Sequence, residues 1–179
     1  MPDPIGTDPT DLQTLCVEVL AASEEALDTI PGFAPGLEGA PERTFVSAGQ
    51  PALDCCNQLT VNSATIREAP TQPGGLGAGT RHRQDFRINH VGVSVWITRC
   101  LSVQEAIPSA AAQQALAEQV NADGWALWNH LWNLARSGDL VSICQEVFFD
   151  ALTPLQPSGG CSGWVLALRF QLAGYEEGT

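Results

Sequence analysis

The sequence feature that most constrains the fold is an alternation of apolar and other residues in the segment Arg87–Leu101. Every second residue from Val91 to Ile97 is a branched aliphatic residue. Such alternation is typical of a strand whose sheet is covered on one face only, which is common in antiparallel sheets. The sequence therefore predicts a half-buried sheet, and other segments of the chain must cover its apolar face.

Two segments have the periodicity of amphipathic helices and could provide this cover. Asp11–Ile30 carries apolar residues at i, i+3, i+4 and i+7 and ends before Pro31–Gly32. A second, longer helix is predicted from Pro108 to Arg136, with Ser109 as its N-cap and Ser137–Gly138 as its C-terminal stop.

The remaining elements are predicted to be strands, and they complete an α+β fold. We expect a largely antiparallel sheet of four to five strands with two helices packed on one face, in the order α-β-β-β-α-β-β. A Pro- and Gly-containing turn is predicted at Thr153–Ser162. Besides Arg87–Leu101, the predicted strands are Arg43–Ser47, Leu53–Arg67, Leu140–Leu152 and Gly163–Tyr175.

The length of the chain fits one domain covering 1–179. Flexible ends are expected at about 1–8 and 176–179, and a long loop rich in Pro and Gly at 68–86. No apolar run approaches the roughly 20 residues that span a bilayer, and no signal peptide is recognisable, so we expect a soluble protein made in the cytoplasm.

The charge and the motifs favour a protein without catalytic chemistry. The net charge of −12 opposes tight binding to nucleic acid, which depends on basic residues. The glycines of Gly74–Gly79 lack the Lys–Ser/Thr of a phosphate-binding loop, and the three His are scattered over different elements. We therefore expect no enzyme activity, no cofactor and no metal site.

Two cysteines form a candidate site. If Leu59 and Val61 share a face with Val95 and Ile97, the antiparallel register places Cys56 opposite Cys100. A disulfide or a two-thiol contact is one interpretation, and a zinc site that also uses Cys161 is another. A small thiol- or zinc-dependent enzyme is the corresponding functional alternative.

Three further groups of residues are candidates for contact with a partner or with another copy of the chain. Four of the eight Arg bracket the long loop, whereas acidic residues gather at the end of the first helix. The tryptophans of the second helix make its apolar arc wider than one sheet face requires. A solvated loop and a buried core are the plainer alternatives for the Arg and Trp groups, respectively. The candidates are Arg67, Arg81, Arg83 and Arg87; Glu24, Glu25 and Asp28; and Trp125 and Trp132.

Four stretches of the sequence carry a resemblance to a known family. They are Leu15–Leu27, Pro51–Val61, the Asp-Gly-Trp-Ala-Leu-Trp-Asn-His-Leu-Trp motif at Asp123–Trp132, and Gly159–Trp164. These stretches resemble tail terminator proteins of long-tailed bacteriophages that infect high-GC hosts. A neighbouring neck protein, such as a head-closure or connector subunit, is the alternative within the same class.

The resemblance implies a virion structural protein that assembles in the host cytoplasm and resides at the head–tail junction. Such a protein forms a ring, usually a homohexamer, which caps the head-proximal end of the tail tube and ends tube polymerisation. Its implied partners are other copies of itself, the major tail tube protein and a head-side connector. DNA would pass through the ring without specific binding, which the acidic balance of the chain would favour.

Overall fold

A computed structural model describes residues 9–33, 37–51, 57–68, 89–100, 109–141, 144–158 and 161–172. The element order is α-β-β-β-α-β-β, and the fold is α+β, as the sequence predicts. The elements are α1 (Pro9–Asp28), β1 (Arg43–Ser47), β2 (Gln58–Glu68), β3 (Asn89–Cys100), α2 (Ala110–Ser137), β4 (Cys144–Ser158) and β5 (Cys161–Leu172).

The five strands form one sheet in the order β1-β2-β3-β5-β4. Every neighbouring pair is antiparallel except β1 and β2, which run parallel. Strand β2 pairs with β3 in the predicted register, with Leu59 opposite Ile97 and Val61 opposite Val95. The strands β1 and β4 are the two edges of the sheet.

The apolar face of the sheet and both helices share one core. Strand β3 contributes Val91, Val93, Val95 and Ile97 to it, all nearly inaccessible to solvent. Helix α1 contacts β1, β2 and β3, whereas α2 contacts β5, β3 and β4. The two helices therefore lie side by side on one face, as predicted, because the alternation of the strands leaves only that face apolar.

Helix α2 has the ends that its sequence specifies. The side-chain oxygen of Ser109 accepts a hydrogen bond from the N–H of Ala112 (3.2 Å), as expected of an N-cap. Gly138 has a φ of 83° and donates its N–H to the carbonyl of Leu134, which closes the helix. None of the described helices is long and apolar enough to cross a membrane.

One local prediction is wrong. The turn expected at Thr153–Ser162 is much shorter, because β4 continues to Ser158 through Pro154 and Pro157. An edge strand tolerates proline where the missing N–H would face solvent. The predicted flexible ends and residues 69–86 of the predicted loop lie outside the described residues, whereas Glu68 ends β2.

Candidate functional site

The most exposed aromatic surface of the described residues lies on the outer side of α2. Trp125 exposes 66% of its surface and Trp132 exposes 42%. Trp128 stacks on Trp132 with ring centroids 6.4 Å apart, and both rings meet the edge of Phe149 from β4 at 5.2 and 5.1 Å. We call these four residues, Trp125, Trp128, Trp132 and Phe149, the aromatic flank.

The spacing of the helix explains why these tryptophans are not all in the core. Leu127 and Leu131 point to the sheet and are fully buried. Trp125, Trp128 and Trp132 follow the spacing i, i+3 and i+7, which forms a neighbouring stripe on the same helix. This stripe reaches over the edge strand β4, beyond which no further strand covers it among the described residues. The exposure of Trp125 and Trp132 agrees with the excess apolar arc predicted from the sequence.

Two of the three acidic residues at the end of α1, Glu25 and Asp28, contact groups of their own chain. The carboxylate of Asp28 accepts a hydrogen bond from the backbone N–H of Ala40 (3.0 Å). The carboxylate of Glu25 lies 3.7 Å from Nε2 of His130 on α2, although Glu25 remains largely exposed. Glu24 is half-buried on the same helix. The intrachain contacts reduce the need for a cation from a neighbouring subunit at this helix end.

Most of the predicted basic cluster lies outside the described residues, namely Arg81, Arg83 and Arg87. Arg67 lies in β2, where its backbone pairs with His90 of β3. The pairing of the basic loop with the acidic end of α1 between subunits therefore stays a prediction.

The candidate thiol site involves a different pair of cysteines among the described residues. The Sγ atoms of Cys100 and Cys161 lie 2.9 Å apart, and these residues are direct neighbours across β3 and β5. Cys56 and Cys55 lie outside the described residues, so the Cys56–Cys100 contact stays a prediction. From the sequence, Cys161 is expected only as a further ligand of a zinc site.

The other described thiols lack the features of a reactive cysteine. Burial raises the pKa of the Cys16 thiol to about 11. Burial also raises the pKa of Cys144, and the charge of Glu18 adds to this effect. A nucleophilic cysteine needs a lowered pKa, so neither thiol suits catalysis. Within the described ranges, no group of three or more His, Cys, Asp or Glu could hold a metal ion.

A buried polar network, which was not predicted from the sequence, lies between α2 and the sheet. The guanidinium of Arg99 makes two hydrogen bonds to the carboxylate of Asp123, from Nε at 2.8 Å and from Nη2 at 3.1 Å. Arg99 also donates to the carbonyl of Gly39 (2.6 Å), and Gln119 donates to Asp123 (3.0 Å). Gln119 in turn accepts the N–H of Phe33 (2.9 Å).

This network is structural in character because solvent hardly reaches it. Arg99 is 1% exposed, and Asp123 and Gln119 are fully buried. Burial raises the pKa of the Asp123 carboxyl, whereas the hydrogen bond and charge of Arg99, together with the hydrogen bond from Gln119, lower it. The network ties β3, α2 and the segment after α1 to one another.

Comparison with known proteins does not extend these observations: no protein-family model matches the chain, and no curated protein matches it.

Proposed function

We propose that this chain is a ring-forming virion structural protein, a tail terminator that caps the head-proximal end of a phage tail tube. The observation that carries the proposal is the aromatic flank, because it offers two exposed tryptophans on a rigid helix at one side of the domain. The sequence resemblance supplies the family. The resemblance also implies a small α/β fold with a sheet backed by helices, and the sheet and helices of this chain are compatible with it.

The aromatic flank has the properties of an assembly surface. Tryptophan is enriched among the residues that dominate binding energy at interfaces, and each ring can bury about 150–250 Å². Helix α2 is capped at both ends, and its buried leucines hold it on the sheet. The flank is therefore largely preorganised, which lowers the entropic cost of association.

The position of the flank suits a heterologous contact in a ring. Helix α1 lies over β1 and β2, whereas the flank extends over β4 at the opposite edge of the sheet. A ring of identical subunits joins one side of each copy to a different side of the next copy. In this proposal the flank supplies one of the two sides and carries most of the affinity.

The acidic balance of the chain supports a channel through which DNA slides. A net charge of −12 repels a polyanion and does not hold it. In the proposed particle, the ring would sit at the head–tail junction after assembly in the host cytoplasm. One face would meet the tail tube protein and the other would meet a head-side connector.

Electron microscopy of the purified protein, alone and mixed with tail tubes of its phage, tests the function. We expect rings in the first sample and tubes capped at one end in the second. Tubes polymerised from their subunits should also stop growing when the protein is added. A protein that stays monomeric in both samples and leaves tube growth unchanged would refute the proposal, whereas binding to the head-side connector alone would identify a neck protein.

Substitution of the exposed tryptophans tests the role of the flank. Trp125→Ala should weaken subunit association about thirtyfold or more, because truncation of an interface tryptophan commonly costs about 2 kcal/mol or more. Trp132→Ala should add to this loss but should also lower the stability of the monomer, since Trp132 stacks on Trp128. Analytical ultracentrifugation measures the association, and thermal unfolding measures the stability.

Asn133→Ala is the control variant, because Asn133 is exposed on the same helix but is polar. It should associate like the wild type. If Trp125→Ala also associates like the wild type, the flank does not face the next subunit, and tube binding by the same variant becomes the deciding measurement.

A further inference from the structure

Two cysteines meet where β3 ends and β5 begins. Cys100 is the last residue of β3 and Cys161 is the first residue of β5, and they lie directly opposite each other. Their Sγ atoms are 2.9 Å apart. Successive side chains of a strand point to opposite faces of the sheet. Arg99 and Trp164 point to the helices, and Cys100 and Cys161 lie one and three residues away from them, respectively. Both cysteines therefore lie on the face of the sheet opposite the helices.

The backbone hydrogen bond of Cys100 shows whether Cys100 and Cys161 form a hydrogen-bonded or a non-hydrogen-bonded antiparallel pair. The N–H of Cys100 donates to Oδ1 of Asn57, which precedes β2, at 2.9 Å. In a strand the N–H and C=O of one residue point to the same side, so Cys100 directs both groups toward β2 and away from β5. Cys100 and Cys161 therefore form a non-hydrogen-bonded pair, whose Cα atoms are typically about 4.5 Å apart. This distance lies within the range that a disulfide requires, about 4.4–6.8 Å.

A nearby glycine allows the two strands to approach closely. Gly163 lies two residues after Cys161 and pairs with Thr98 of β3. A Cβ atom at Gly163 would collide with the carbonyl oxygen of Ile97. The close approach is therefore built into the sequence, and it keeps the two thiols near each other.

The distance between the sulfurs favours a bond over a shared metal ion. Two thiolates on one tetrahedral zinc ion, with Zn–S bonds of about 2.3 Å, would lie about 3.8 Å apart. The observed separation of 2.9 Å is shorter than this.

We propose that Cys100 and Cys161 are a redox modification site, at which a small-molecule disulfide such as glutathione disulfide converts the two thiols into a cross-strand disulfide. Cys100 is half-buried, whereas Cys161 is only 8% exposed, so Cys100 is the thiol that the oxidant reaches first. Its thiolate attacks the oxidant and displaces one glutathione thiolate. The Cys161 thiolate then attacks Sγ of Cys100 and displaces the second one.

The reaction is balanced. The two cysteines lose two electrons and two protons in total, and the oxidant becomes two molecules of reduced glutathione. Excess thiol reverses both steps, so the site is reversible.

The cross-link would enclose the part of the chain that carries the aromatic flank. Helix α2 and strand β4 lie between Cys100 and Cys161 in the sequence. The bond would thus restrain the unfolding of this region. The moment at which the disulfide forms rests on the proposed function, since a virion leaves the reducing cytosol for an oxidising environment. The ability of the two cysteines to form the disulfide does not depend on that function.

Peptide mapping of the wild-type protein tests the inference directly. The folded protein is incubated at about pH 8 with glutathione disulfide, blocked with iodoacetamide and digested with trypsin without reduction. Cleavage after Arg99, Arg136 and Arg169 leaves Cys100 alone in peptide 100–136 and places Cys161 with Cys144 in peptide 137–169. A second cut after Glu146 separates Cys144 from Cys161.

We expect a cross-link between Cys100 and Cys161, a mass loss of about two hydrogens and a thermal midpoint about 5 °C or more above that of the reduced protein. Cys144→Ser should leave the cross-link intact, whereas Cys161→Ser and Cys161→Ala should each abolish it. A cross-link from Cys100 to the peptide that holds Cys55 and Cys56 would overturn the proposal. So would a folded protein whose Cys100 and Cys161 both remain alkylatable after oxidation.

Discussion

Arg99 occupies a position that the alternation of β3 assigns to the buried face. Val91 to Ile97 set the phase of this strand, and Arg99 continues it, so its side chain enters the core. On α2, Gln119 and Asp123 are spaced i, i+4 and are fully buried. Ionised groups are rarely buried unless they are paired. The sequence signal for this network was a pair of opposite charges, one at a buried position of β3 and one at a buried position of α2. The sequence does not show that these two buried positions meet.

Removal of one partner from this ion pair tests how strongly the pair is coupled. Asp123→Leu leaves the Arg99 guanidinium buried without its carboxylate, so we expect a loss of about 3–5 kcal/mol in the free energy of unfolding. The double variant Arg99→Met/Asp123→Leu should lose much less than the sum of its single variants. Urea unfolding measures all four proteins.

The exposed pair Arg169–Asp150 provides the control. Its nitrogen and oxygen are also 2.9 Å apart, but its side chains are 42% and 45% exposed. Asp150→Ala should therefore cost less than about 1 kcal/mol. Additive effects of the single substitutions at Arg99 and Asp123 would show that the buried pair is not coupled.

At the scale of the elements, two glycines allow a helix and two strands to approach one another closely. Helix α2 lies against β5 at Gly124, where a Cβ atom would be 2.9 Å from the ring of Trp164. Nε1 of Trp164 donates to the carbonyl of Val120 at 2.8 Å, which fixes the ring against the helix. Gly163 plays the corresponding part between β5 and β3. Neither role is visible from the local sequence, in which a glycine within a strand or helix only indicates a weak point or a close approach.

Gly163→Ala should therefore destabilise the fold strongly. The new methyl group would collide with the backbone of Ile97, which cannot move aside as a flexible side chain can. We expect a loss of at least about 2 kcal/mol, measured by urea unfolding. Gly49→Ala is the matched control, since nothing lies within 4 Å of its added methyl group, and its effect should stay within about 0.5 kcal/mol. Equal stabilities of the two variants would contradict the close approach.

At the scale of the whole molecule, charge and apolar surface act in opposite directions. Each copy of the chain carries a net charge of −12, so copies repel one another at low salt. In the proposed ring the aromatic flank favours association, and its apolar contribution does not depend on opposite charges. The carboxylate of Asp28 is also engaged within its own chain, by the backbone N–H of Ala40.

Association should consequently strengthen when salt is added. Between about 50 and 500 mM NaCl, screening shortens the range of the repulsion, and we expect the dissociation constant between subunits to fall several-fold. Sedimentation at a series of salt concentrations measures it. Weaker association at high salt would instead point to complementary charges, such as the predicted contact of Arg81 and Arg83 with Glu24 and Glu25.

The sequence alone predicted the type and order of every element, the faces that β2 and β3 bury, and the caps of α2. These properties follow from periodicity and from local backbone chemistry, which act over a few residues. It also predicted the register of β2 and β3, since a slip of one residue would turn the apolar face outward.

Only the tertiary structure decided which elements became neighbours. The parallel pairing of β1 with β2, the placement of β5 between β3 and β4, and the meeting of Cys100 with Cys161 all join distant segments. The same holds for Arg99 and Asp123, and for the fraction of the tryptophan stripe that β4 leaves exposed. These outcomes depend on how all the apolar faces are buried at once, and local patterns do not encode such long-range packing.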